Sequence, residues 1–189
     1  MKNLKGLSRL ELAALIAEEL RAKDIDVVLS GGSCVSIYSS EKYVSKDLDF
    51  IDISLKSNRQ IANAIRALGF ENQPKNSRHF VHPDTELTVE FPSAPLTVGD
   101  EHIPSTAVHS ITTDQGTLRL LTPTDCVKDR LANYYYFRDK QSLEQAVLVA
   151  KAHPINFKSL ETWHNNERQQ KGYQQFLERL KNVKPFRCK

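Results

Sequence analysis

Cysteine is scarce in this chain, and the few that occur have no pattern. Cys34, Cys126 and Cys188 stand far apart with no Cys-x-x-Cys spacing, which gives no support to a disulfide framework, a zinc site or a redox pair. A reducing compartment is the plain expectation, and with it a cytoplasmic location. Long apolar runs are also missing. Lys2 and Lys5 are followed by Glu11, Glu18 and Glu19, so neither a signal-peptide core nor a membrane span is expected. There is no internal repeat, low-complexity run, linker or heptad stretch, which leaves the oligomeric state open. Strong net charge is absent too: 26 Lys and Arg against 23 Asp and Glu leave +3, too little by itself to argue for nucleic acid. The charge is uneven, however. Residues 151–189 carry nine basic and three acidic residues, or +6, so residues 1–150 sum to −3. A basic carboxy-terminal lobe can steer a polyanion such as RNA, while the plainer reading is a solvated helical surface.

With 189 residues, 40% of them hydrophobic, the chain can bury one good core with a helical appendage. Ser8-Arg9-Leu10-Glu11 is a capping-box signature and predicts a helix to about Lys23. Asp26–Ser30 reads as a short buried strand, and a second helix begins at Ser57-Asn58-Arg59-Gln60 and stops before Gly69. Strands are predicted near 79–82, 86–91, 107–112 and 117–121, the last two flanking Asp114-Gln115-Gly116. From Pro123 the pattern is helical, with helices near 123–136, 140–152, 157–170 and 172–182. The fold class is therefore α+β: a mixed sheet flanked by helices over residues 1–121, then a helical subdomain over 122–189.

Chemistry concentrates in two short motifs. Gly31-Gly32-Ser33 follows the first strand, where glycines let the backbone turn sharply and present the N–H groups of a following helix to an anion, with the Ser33 hydroxyl beside them. In Ser45-Lys46-Asp47-Leu48-Asp49-Phe50, strand alternation puts Asp47 and Asp49 on one face and Leu48 and Phe50 in the core. Two neighbouring carboxylates repel, and a divalent cation is the usual compensation. Magnesium prefers such oxygen donors.

This order of strand, Gly-Gly-Ser, short helix and Ser-x-Asp-x-Asp resembles the active-site core of the nucleotidyltransferase superfamily, typified by DNA polymerase beta and kanamycin nucleotidyltransferase. It is most similar to the small bacterial toxin-type enzymes of abortive-infection systems. The resemblance covers about residues 25–150 and implies a nucleotidyltransferase-like mixed sheet, one or two Mg2+ ions held by Asp47 and Asp49, and phosphates gripped by Gly31, Gly32 and Ser33. It also implies a third carboxylate on a later strand. Glu90, in Glu86-Leu87-Thr88-Val89-Glu90-Phe91, fits that place, although many relatives carry Asp there. It is either a third metal ligand or the base for the attacking hydroxyl. Leu121-Thr122-Pro123-Thr124-Asp125-Cys126-Val127-Lys128 resembles the later segment where such proteins start a helix and carry a lysine. On resemblance alone, Lys128 is chosen over Lys46 or Arg130 as the triphosphate-binding residue.

The implied activity is transfer of a nucleoside monophosphate from a nucleoside triphosphate, ATP among them, to a hydroxyl on RNA (tRNA included), protein or a small molecule, with a toxin–antitoxin role in view. The alternative is a catalytically silent nucleotide-binding or partner-binding module of the same fold. A fused RNase is not supported, since no Arg is followed four to six residues later by His in the carboxy-terminal helices. Three other clusters have plain readings. His79 and His82 read as surface histidines rather than metal ligands, because i and i+3 on a strand face apart. Tyr134-Tyr135-Tyr136-Phe137 reads as packing residues, with base stacking as the other use. Arg138-Asp139-Lys140 is either a helix-end salt-bridge cluster or the charged segment that follows the lysine helix in the toxin-type proteins.

Overall fold

Side-chain caps set where the helices begin. In a computed structural model describing residues 3–73 and 76–182, Ser8 and Glu11 exchange the two hydrogen bonds of a capping box and open α1 (Arg9–Arg21). Ser57 and Gln60 do the same for α3 (Asn58–Arg66). Thr122 caps α4 (Pro123–Phe137), whose first residue is a proline that has no N–H to leave unsatisfied. Between these lie β1 (Val27–Ser30), α2 (Gly31–Tyr38) and β2 (Asp47–Asp52). After α3 come β3 (Glu71–Gln73), β4 (Asn76–His82) and β5 (Thr85–Glu90). A small hairpin, β6 (Thr97–Val98) and β7 (Glu101–His102), precedes β8 (His109–Thr113) and β9 (Gly116–Leu120). The chain closes with α5 (Lys140–Ala152), α6 (Phe157–Asn166) and α7 (Gln170–Asn182). Cys188 and the basic residues Lys184, Arg187 and Lys189 lie outside the described residues.

Seven strands form one mixed sheet in the order β3-β4-β5-β2-β1-β9-β8. The central pairings fix the functional register. β1 runs antiparallel to β2 with Ser30 opposite Asp49, and β2 runs parallel to β5 with Asp49 opposite Glu90 and Asp47 opposite Thr88. Leu48, Phe50 and Val89 are fully buried on the opposite face, and Phe50 and Phe91 pack ring to ring at 6.1 Å. α1 lies along β9 and β1, while α2 packs against α4 and α5. One hydrophobic cluster reaches from Leu4 and Leu12 of the amino-terminal segment through the sheet to Leu131, Trp163 and Phe176 of the last helices. Among the described residues no helix is long and apolar enough to cross a membrane.

The α+β architecture agrees with the sequence reading, with three differences. β3 is an edge strand of three polar residues, Glu-Asn-Gln, with no apolar alternation to reveal it. The β6–β7 hairpin has strands of only two residues, below any readable period. α6 ends at Asn166 rather than 170, and Arg168 follows at φ +56° before α7 starts.

Alternation along β2 makes a testable contrast. Leu48→Ala is expected to cost about 2–5 kcal/mol in urea unfolding, because it leaves a cavity in the fully buried face, whereas Asp47→Ala on the other face should change stability by under about 1 kcal/mol.

Candidate active site

At the join between β1 and α2 the chain comes as close to another strand as a backbone can. Gly31 has φ +69°, and a Cβ added there would sit 2.1 Å from Oδ2 of Asp49. Only glycine combines that left-handed backbone with that approach. Ser30 does not cap the helix with its side chain; its hydroxyl instead donates to the Asp49 backbone carbonyl at 3.3 Å. The first N–H groups of α2 are thus left without a side-chain cap, next to the Asp49 carboxylate.

Asp47 and Asp49 share one face of β2, and Glu90 lies directly across from Asp49 on β5. Burial, then the nearby Glu90 charge, push the Asp49 carboxyl up to about 7, with Arg130 pulling the other way. Burial also raises Glu90, opposed by His79 and reinforced by Asp47. Each flanking carboxylate has a protein partner. Thr88 Oγ1 donates to Asp47 Oδ1, and His79 Nδ1 lies 2.7 Å from Glu90 Oε1. Among the described residues no group of three or more His, Cys, Asp or Glu side chains is preassembled as a metal cluster. The donor chemistry nevertheless fits a hard divalent cation, since mutually repelling carboxylates on adjacent strands are what such a cation relieves.

Two other expected site residues point elsewhere. The Ser33 hydroxyl is fully buried; it donates to the Asp47 backbone carbonyl and accepts from Arg9 Nη1 at 3.1 Å. It ties α2 to β2, leaving only its backbone N–H toward the helix mouth. Lys128 is 2% exposed, with Nζ 2.7 Å from Glu101 Oε2 and 3.4 Å from Asp125 Oδ1. Its charge is spent joining α4 to the β6–β7 hairpin.

The chain matches no protein-family model and no curated protein. Solved structures do resemble it. An antigenic nucleotidyltransferase-like protein from Paracoccidioides brasiliensis superposes with a TM-score of 0.55 at 11% identity, over 75% of each chain. The antibiotic-resistance factor ANT(2'')-Ia gives 0.55 at 11% identity over 87% of this chain and 94% of its own. A second structure of that factor, in complex with adenylyl-2''-tobramycin, gives 0.51 at 12% identity over 92% and 99%. The chain has a nucleotidyltransferase-like fold.

Within this nucleotidyltransferase-like fold, two residues join the site that the sequence reading did not select. His79 meets Glu90 because β4 and β5 pair antiparallel with those two residues opposite each other, a register that local periodicity does not disclose. Arg130 is buried on α4. Burial works against its charge, but Asp129 and Asp49 hold the guanidinium protonated and raise it above its ordinary value. Its Nη2 is 2.6 Å from Asp129 Oδ2. The signal that could have found it is its spacing two residues beyond Lys128, which turns it to a different face of α4.

Gly31→Ala is expected to lower stability by at least about 1–2 kcal/mol from the left-handed backbone alone, and by more than Gly32→Ala, where the added Cβ would meet Ser45 Oγ at 3.0 Å, Ser45 Cβ at 3.2 Å and a Tyr43 ring carbon at 3.4 Å. Adding Asp49→Ala to Gly31→Ala should recover part of the loss in a double-mutant cycle. Strict additivity in that cycle would show that the Gly31–Asp49 approach carries no energetic weight.

Proposed function

We propose that this protein is a magnesium-dependent nucleotidyltransferase that moves a nucleoside monophosphate from a nucleoside triphosphate to a hydroxyl. The observation that carries this reading is the seating of Asp49, with Asp47 beside it and Glu90 across from it, against the glycine-opened, uncapped start of α2. Phosphates meet the N–H groups of Gly31, Gly32 and Ser33, where helix-end partial charge favours an anion. Asp47 and Asp49 would hold the cation, and Glu90 is either a third ligand or the base. When bound, Mg2+ supplies charge neutralisation for the triphosphate and its leaving group. The acceptor oxygen attacks the α-phosphorus, a P–O bond forms there, the bond to the β-phosphate bridge breaks, and pyrophosphate leaves. The hydroxyl proton passes to a carboxylate of the trio.

Arg130, rather than Lys128, is the cation beside Asp49, and its charge works against the burial and the Glu90 repulsion that raise that carboxyl. Lys128 would reach a triphosphate only by leaving both Glu101 and Asp125. The neighbour captured with adenylyl-2''-tobramycin supports AMP as the transferred group. The sequence resemblance to toxin-type enzymes extends the reading to a toxin–antitoxin pair. The second reading, a silent nucleotide-binding module, is favoured by the engagement of Asp47 with Thr88 and of Glu90 with His79.

Incubation with each α-labelled nucleoside triphosphate, Mg2+ and cell RNA or extract should transfer label with wild-type protein, and at least about a hundredfold less with Asp47→Ala or Asp49→Ala. Mg2+ with nucleotide should raise the melting temperature of wild type but not of the Asp47→Ala/Asp49→Ala variant. Glu90→Gln should slow transfer more than it weakens that thermal shift. A shift without transfer by the wild type would select the silent module, and neither would discard both readings.

A further inference from the structure

Away from the carboxylates, a cavity of about 400 Å3 opens where α4 ends and α5 and α7 begin. Its lining includes Tyr134, Tyr135, Arg138, Lys140, Lys171 and Gln175, and no Asp or Glu. The volume lies within the range of pockets for small ligands. Arg138, Lys140 and Lys171 form no ion pair with any described residue. Nearby acids are already occupied. Asp139 accepts from the Gln141 backbone N–H and the Ser142 hydroxyl, Glu144 pairs with Arg179 at 2.6 Å, and Glu167 accepts from Tyr136 and the Asp100 N–H. Asp129 is taken by Arg130.

These cations stand at helix ends, and one of them runs against local preference. Lys140 is the first residue of α5, directly after its Asp139 cap, Lys171 is the second of α7, which has no acid in its first turn, and Arg138 sits at φ +57° where α4 stops. Lys171 at the start of α7 opposes that helix's dipole, so an anion in the cavity relieves both the mutual repulsion of the three cations and that mismatch. The wall is rigid. A Cβ on Gly172 would lie 2.3 Å from the Tyr135 ring, whose hydroxyl is 2.9 Å from His164 Nε2, and the Tyr134 hydroxyl donates to Gln175 at 3.3 Å. Arg130, beside Asp49, and Tyr134, at the cavity, lie one turn apart on α4, and Arg138 caps the end of that helix roughly 12 Å of helix rise beyond Arg130.

We infer that this cavity holds the acceptor, and that the acceptor is a single-stranded polynucleotide: phosphates on Arg138, Lys140 and Lys171, a base on the face of Tyr134, and the strand following α4 toward the carboxylates. The inference rests on the nucleotidyltransferase reading for its purpose but not for its test. Three cations and no acid also disfavour a polyamine acceptor of the tobramycin kind, which would need carboxylates here.

Fluorescence anisotropy with short labelled single-stranded RNA, the matching DNA and duplex RNA tests it in the full-length protein. Both single strands are expected to bind better than the duplex, and a preference between them identifies the natural strand. The exposed triple substitution Arg138→Gln/Lys140→Gln/Lys171→Gln should weaken binding at least about tenfold. Three lost phosphate contacts should also flatten the slope of log K against log salt by about 2 between about 50 and 200 mM. Tyr134→Ala should cost roughly 5- to 100-fold. Circular dichroism melts confirm that the variants fold, and their Mg2+-nucleotide thermal shift should match wild type, so loss of strand binding is separable from failure of the nucleotidyltransferase reading. Equal affinity of wild type and triple variant, no strand binding by wild type at the low-salt end, or preferential capture of anionic vesicles or of tobramycin would overturn the inference.

Discussion

The arrangement turns on one contact, the approach of the Gly31 backbone to the Asp49 carboxylate. Any side chain at residue 31 would occupy the space of that carboxylate, so the start of α2 and the centre of β2 are positioned together. Ser30 and Ser33 complete the clamp, each donating to a backbone carbonyl of β2, at Asp49 and Asp47 respectively. A hydroxyl used in this way is withdrawn from ligand binding, but the backbone N–H groups it fixes are better directed. The cost is a buried carboxylate beside two others, and Arg130 from α4 offsets it in part. Carboxylates that repel in a partly desolvated setting are unfavourable for folding and favourable for attracting a cation.

α4 distributes charge by helical spacing. Cys126, Val127 and Leu131 enter the core, Lys128 ties down the β6–β7 hairpin, Arg130 faces Asp49, and Tyr134 and Tyr135 reach the outer cavity. A shift of one residue along a helix is about 100° of rotation, which is why two cations two positions apart have unrelated partners. Lys128 is buried only because Glu101 and Asp125 accompany it; an unpaired ammonium at that depth would be strongly destabilising.

The parts of the fold legible in the sequence were those with local causes. Capping signatures at Ser8, Ser57 and Thr122 needed only three or four adjacent residues, and the alternation in Asp47–Phe50 told its two faces apart. What was not legible depends on pairing across the sheet or between helices. His79 reads as a surface histidine until strand register sets it opposite Glu90. Arg130 and Lys128 look alike in one dimension, and only the packing of α4 against its neighbours assigns them. The aromatic run divided as four successive helical positions must: Tyr135 is half-buried against Trp163 and His164, while Phe137 stays 77% exposed. Arg138-Asp139-Lys140 is not a salt-bridge cluster, because Asp139 is taken up by the cap of α5.

Opposite charge at the two ends of one helix stripe has a physical logic on the proposed reading. A triphosphate is repelled by bare carboxylates and accepted once a divalent cation sits among them, so nucleotide affinity is tied to metal. A strand bearing its own phosphates would be repelled from the same centre, and screening by salt over about 8–10 Å keeps a basic anchor from neutralising the carboxylates it serves. A basic cavity whose Arg138 stands roughly 12 Å of helix rise beyond Arg130 keeps that cation outside this distance. It can therefore hold an anionic acceptor without raising the local positive charge at Asp49, where the Arg130 guanidinium already supplies the cation that the buried carboxylate requires.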